Sequence, residues 1–105
     1  MAEAPKCPTC GHPSLATRTR WGVRYDHCGL WAWGNYPLVD EATHDARRAA
    51  HKAFDRTWMF NQMDRREAYR QLALLMGLEP RDCHMKVMTK EQAEKVLTLV
   101  GEIKP

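Results

Sequence analysis

The chain predicts an α+β fold, a small antiparallel zinc-ribbon-like finger packed on a three-helix unit, and three observations carry the prediction. Cys7-Pro-Thr-Cys10-Gly11 is followed by Cys28-Gly29, most of the paired Cys-x-x-Cys-Gly knuckles that build a zinc ribbon. Between residues 15 and 36, runs rich in β-branched and aromatic side chains are separated by glycines. From residue 39 onward, apolar residues instead recur every three or four positions. The finger is assigned residues 1–36 and the helical unit residues 37–105, together one compact domain.

Element by element, Leu15-Ala-Thr-Arg-Thr-Arg-Trp21 reads as a first strand, Val23-Arg-Tyr25 as a second returning toward Cys28, and Leu30-Trp-Ala-Trp33 as a third. Gly22 and Gly34 supply the turns. Past Pro37, Asp40 or Thr43 caps a long helix that ends around residues 59 to 61. Its buried face takes in Val39, Ala42, Ala46, Ala49, Ala50, Ala53, Phe54 and Trp58, with Trp58 the largest core volume. Asp64-Arg-Arg-Glu67 opens a second helix in the manner of a capping box, and Gly77 closes it. Thr89-Lys-Glu-Gln92 opens a third that stops at Gly101. Cys83-His-Met-Lys-Val-Met88, between the second and third helices, is expected to be a short strand or extended segment. Met59, Met63, Met76, Met85 and Met88 are expected to serve as adaptable packing.

The metal is the strongest functional signal. Two thiolates two residues apart with a following glycine let the backbone turn around both sulfurs and hold them about 2.3 Å from one ion. Cys7, Cys10 and Cys28 supply three ligands for zinc, and Tyr25 stands where the fourth thiolate of a ribbon belongs. His27 is the preferred fourth ligand because it lies on the knuckle that lacks its cysteine; His12, Cys83 and His84 are the alternatives. Against His27 stands the alternation of a strand, which points neighbouring side chains apart. Three cysteines and a water would formally make an open, catalytic zinc, but such a site needs a general base, and no carboxylate lies nearby apart from Asp26.

Arg18, Arg20 and Arg24 flank Trp21 and Tyr25, with Trp31 and Trp33 close behind. Arginines and aromatic rings on one strand face suit stacking and phosphate contacts, and equally suit a finger burying its own aromatics. These six residues, the three arginines and Trp21, Trp31 and Trp33, are the candidate partner-binding set, with an exposed Trp31 or Trp33 as anchor. On the first helix, His44, Arg48, His51 and Asp55 share one side, and the His51 and Asp55 pair reads as a helix-surface contact before it reads as an orienting pair for catalysis.

Charge ranks the partners. Sixteen Lys and Arg oppose thirteen Asp and Glu, a net +3, and the excess leans toward the finger, where Lys6, Arg18, Arg20 and Arg24 face Glu3 and Asp26. That is a mild bias toward anions, well short of the basic load of a dedicated nucleic-acid binder. No apolar run approaches the roughly 20 residues of a membrane span. Met1-Ala-Glu-Ala-Pro-Lys6 lacks the apolar core of a signal peptide, so a cytoplasmic location is expected, in which a Cys-x-x-Cys binds metal in preference to forming disulfides.

Along nearly its whole length the chain resembles a family of small zinc-finger-containing domains of bacteriophages and bacteria. The resemblance rests on the Cys-Pro-x-Cys-Gly knuckle, Pro37-Leu38, Arg48-Ala-Ala-His51-Lys-Ala-Phe54-Asp55-Arg-Thr-Trp58, Arg66-Glu-Ala-Tyr69-Arg-Gln-Leu72-Ala73 and Cys83-His84. Members carry a complete second Cys-x-x-Cys, from which Tyr25 departs. The resemblance implies a zinc-containing fold and phage ancestry, and brings no activity with it. The resulting expectation is a non-enzymatic zinc-binding interaction module that docks on a host protein complex or nucleic-acid machine, in the host cytoplasm. A direct nucleic-acid binder and a small metal-dependent enzyme are the alternatives; weak net charge ranks below the first the former, and the lack of a carboxylate cluster the latter.

Overall fold

A computed structural model describes residues 4–34 and 36–105, a three-stranded antiparallel sheet followed by three helices, hence an α+β fold. The chain divides into two compact units, Met1–Glu41 and Ala42–Pro105. Val39 and Glu41 fall with the first unit for a local reason: Val39 forms a β-bridge with Trp31 on the sheet edge, and Glu41 accepts a 2.7 Å hydrogen bond from the Trp31 indole Nε1.

In the first unit, β1 (Leu15–Thr19), β2 (Gly22–His27) and β3 (Leu30–Trp33) pair in sequence order. The β1–β2 turn is Arg20-Trp21, with Thr19 opposite Gly22, so Trp21 sits at the hairpin tip and not in a strand. Gly22 has φ 128°, a conformation that only glycine adopts easily. The β2–β3 turn is Cys28-Gly29, closed by the His27 and Leu30 pair. Both of its residues have positive φ, 51° and 77°, as a two-residue type I′ hairpin requires.

The second unit holds α1 (Glu41–Phe60), whose first residue belongs to the preceding unit, then α2 (Arg65–Met76) and α3 (Lys90–Leu99). Asp64 caps α2 by accepting from the Arg66 amide, while Thr89 and Gln92 complete a reciprocal capping box on α3. Both α1 and α2 end in the same 6→1 hydrogen bond, Met63 N–H to Trp58 C=O at 3.0 Å and Leu78 N–H to Ala73 C=O at 2.9 Å. The left-handed residue of that motif is Gly77 after α2 but Gln62, φ 52°, after α1. The segment between α2 and α3 corrects the extended expectation. It folds into two 3₁₀ turns, Pro80–Asp82 and Met85–Val87, because Pro80 favours the first turn of a helix and the amides of Cys83 and Met88 close each loop locally.

The core of this unit gathers Ala50 and Phe54 from α1, Ala68, Leu72, Ala73 and Met76 from α2, Ala93 and Val96 from α3, and Met63, Cys83, Met85, Met88 and Ile103 between and beyond them. Phe54 is fully buried and tilts against Tyr69 with ring centroids 4.3 Å apart. Trp58 is only partly buried: its indole donates to Asp55 and its ring meets the Arg65 guanidinium at 5.9 Å. The central aromatic is therefore Phe54, one turn earlier than the sequence suggested. Ala42 and Ala49 are exposed. Of the five methionines expected to pack, four are buried and Met59 lies 58% exposed.

Phe54→Ala is expected to destabilise the helical unit by about 3–5 kcal/mol, and Trp58→Ala by less than half as much, in denaturant melts followed by helix circular dichroism. Gln62→Gly should stabilise it by up to about 1 kcal/mol, since glycine relieves the left-handed strain at the end of α1.

Candidate metal centre

The first knuckle is built by backbone hydrogen bonds around Cys7. Its amide donates to His12 C=O at 2.8 Å, its carbonyl accepts from Gly11 N–H at 2.8 Å, and Gly11 takes φ 77° to make the return. Lys6 and Pro13 bridge the stem, and Ser14 ties it down by donating to Pro5 C=O through both its amide and its hydroxyl, at 2.9 and 2.6 Å. The second knuckle is the type I′ turn at Cys28-Gly29. The left-handed backbone at Cys28 breaks the strand alternation immediately after His27, so two adjacent side chains converge where a continuing strand would have splayed them.

The result is a cluster of Cys7 Sγ, Cys10 Sγ, Cys28 Sγ and an imidazole nitrogen of His27, all within 4.8 Å of one another. His27 Nδ1 lies 3.3 Å from Cys10 Sγ and 3.2 Å from Cys28 Sγ. Bonds of about 2.3 Å to sulfur and 2.0–2.1 Å to nitrogen put the ligand atoms of a tetrahedral zinc ion roughly 3.5–3.8 Å apart, so these four donors fit that ion with small adjustments. Three thiolates and one imidazole also match its chemical preference. Cys7 is buried while Cys10 and Cys28 face solvent.

Electrostatics separate the thiols. Burial resists charge on Cys7, but the backbone amides of Cys10 and Thr9 and the neighbouring His27 and Cys28 side chains outweigh it and bring Cys7 down to about 6. Hydrogen bonds to Cys10 and Cys7, then burial and the like charge of both, push Cys28 up to about 11. Without metal, the cluster thus favours negative charge on Cys7 and disfavours it on Cys28.

The alternative ligands lie elsewhere. His12 stays outside the cluster, its ring stacked near that of His27 with centroids 6.2 Å apart. Cys83 is buried in the helical core, where burial raises its thiol pKa, and His84 lies against Tyr69. Tyr25 pairs with Ala16 and Ala32 inside the sheet.

The arginine and tryptophan set does not form one surface. Arg18 lies opposite Val23, which places it on the other face of the sheet from Arg24. Arg24 stacks 4.1 Å above the Trp31 ring and pairs with Asp26 at 3.1 Å. Trp31 is only 7% exposed, held by Arg24, by Glu41 and by an edge contact with Trp33, and so cannot serve as the exposed anchor. Trp33 sits at the rim of exposure, and the open ring is that of Trp21, 77% exposed, with the Arg20 guanidinium 5.4 Å from its centre. Its isolation follows from the hairpin register, which residue type alone does not reveal. On α1, His51 and Asp55 meet at 3.4 Å as a surface pair.

Residues 19–103 match the family described as a zinc-finger-containing domain, a stretch that includes His27 and Cys28 and begins downstream of Cys7 and Cys10. No curated protein and no solved structure matches the chain.

The purified protein is expected to contain about one zinc per chain by elemental analysis, and Cys10→Ser or His27→Ala to lose it. Because Cys28 must give up a proton on loading, apparent zinc affinity should fall by at least about tenfold per pH unit on acidification from pH 8 to 6 in competition titrations. Chelation should leave the helical signal in place.

Proposed function

As this chain belongs to the zinc-finger-containing domain family, we propose that it is a non-enzymatic interaction module whose finger is stapled by one structural zinc and which docks on a protein partner through the β1–β2 hairpin tip. The observation that carries the reading is the convergence of Cys7, Cys10, His27 and Cys28. Four protein donors complete a tetrahedral ion and leave no position for substrate or activated water, the arrangement of structural sites. Asp26, the carboxylate nearest in sequence to the ligands, is paired with Arg24. Phage ancestry, implied by the resemblance of the helical motifs, makes a host complex the proposed partner.

Trp21 supports the docking mode. A large exposed indole on a short, glycine-set turn is the kind of rigid anchor that dominates protein interfaces. A nucleic-acid surface is less favoured because Arg24 is committed to Asp26 and Trp31, leaving Arg18 and Arg20 as the strand-side cations.

Affinity purification from nuclease-treated host lysate tests this. A partner should be retained by the wild type and lost with Trp21→Ala at unchanged zinc content, with weak dependence on salt. Tight binding to bare DNA or RNA that falls with a slope near 0.7–0.9 per phosphate contact and vanishes in Arg18→Ala/Arg20→Ala overturns the assignment in favour of nucleic acid.

A further inference from the structure

We infer that the outward face of α1 is a second docking surface, one that takes an acidic peptide segment of a partner protein bearing an apolar side chain. Arg48, Lys52 and Arg56 recur every four residues along this helix and, with His51 and Asp55 between them, line a shallow, open surface that ends at Met59 and Phe60. Arg48 is paired with Asp45 and Asp55 with His51, but among the described residues neither Lys52 nor Arg56 has a carboxylate partner. Arg56 instead lies 5.8 Å from the Phe60 ring, which is 74% exposed beside the open Met59. Arg56 beside the phenyl ring, with Lys52 and the Met59 thioether on the same surface, complements a carboxylate and an apolar side chain carried on one segment.

The other anionic occupants fit less well. A helix binds a membrane surface with a broad apolar face, and the apolar face of α1, Ala50 and Phe54, is spent in the core of its own unit. Nucleic acid draws its affinity from many phosphate contacts, whereas Lys52 and Arg56 offer two beside the carboxylates of Asp45 and Asp55. The surface uses neither the zinc ligands nor Trp21, so its fate is separable from that of the hairpin.

The test is fluorescence anisotropy with a labelled, glutamate-rich helical peptide carrying a central Leu-Phe pair. Wild-type protein should bind it with an affinity that declines with salt, and Lys52→Glu/Arg56→Glu should weaken binding roughly tenfold or more. Phe60→Ala should weaken it about tenfold, while Trp21→Ala should leave it unchanged. All these positions are exposed, and helix circular dichroism controls for folding. Failure to bind the peptide, equal affinity for polyglutamate lacking the apolar pair, or binding insensitive to both variants would overturn the inference. So would tighter binding to a single-stranded oligonucleotide or to anionic phosphatidylserine vesicles. Concentration-dependent self-association abolished by Phe60→Ala would assign the face to a second copy of the chain and equally overturn it.

Discussion

Four donor atoms converge from two loops far apart in sequence, and the first unit is organised by that convergence. A finger of about 40 residues has little apolar surface to bury, and among its described residues only Cys7, Trp31, Ala32 and Leu38 are buried hydrophobics. A metal ion bound by thiolates supplies folding free energy that such a core cannot. The hairpin geometry follows from the same need: the left-handed pair Cys28-Gly29 joins β2 to β3 and at the same time aims a sulfur at the site. One turn thus both joins two strands and presents a donor to the cluster.

The second unit is organised differently, by an apolar interior that all three helices enter and that the irregular segment between α2 and α3 completes through Cys83, Met85 and Met88. Its boundaries are set by side chains and by backbone closure. Asp64 and Thr89 satisfy amides at helix starts, and the same backbone closure ends α1 and α2. The chain terminus is held as well, since Gln71 exchanges hydrogen bonds with both the amide and the carbonyl of Lys104. Stability in this half is spread over many contacts, in contrast to the single focus in the finger.

What the sequence made legible follows that contrast. Caps, turn glycines and helical periodicity are local signals, so α2 and α3 could be placed from Asp64, Gly77 and Thr89 alone. His27 could be named as a ligand from proximity to Cys28, but the reason it works, a left-handed residue at the end of a strand, has no signature at a cysteine. The burial of Trp31 and the exposure of Trp21 were illegible because they depend on register: the pairing of Thr19 with Gly22 puts Trp21 at a tip, and the bridge to Val39, the bond to Glu41 and the contacts with Arg24 and Trp33 enclose Trp31. The 3₁₀ turn at Met85–Val87 escaped for a related reason, since alternation over residues 83–88 mimics a strand when the chain closes the loop on itself.

The unequal burial of the thiols makes the cluster a site with a front and a back. Cys7 is enclosed by its own knuckle, while Cys10 and Cys28 lie open. In a loaded site an incoming thiol or competing chelator would meet the exposed Cys10 and Cys28 sulfurs before the buried Cys7. Departure of a bound ion would then begin at those outer sulfurs and leave Cys7 as the last tether. The retention of a bound ion would thereby depend on the β2–β3 turn, whose opening would free Cys28, as well as on the identity of the ligands.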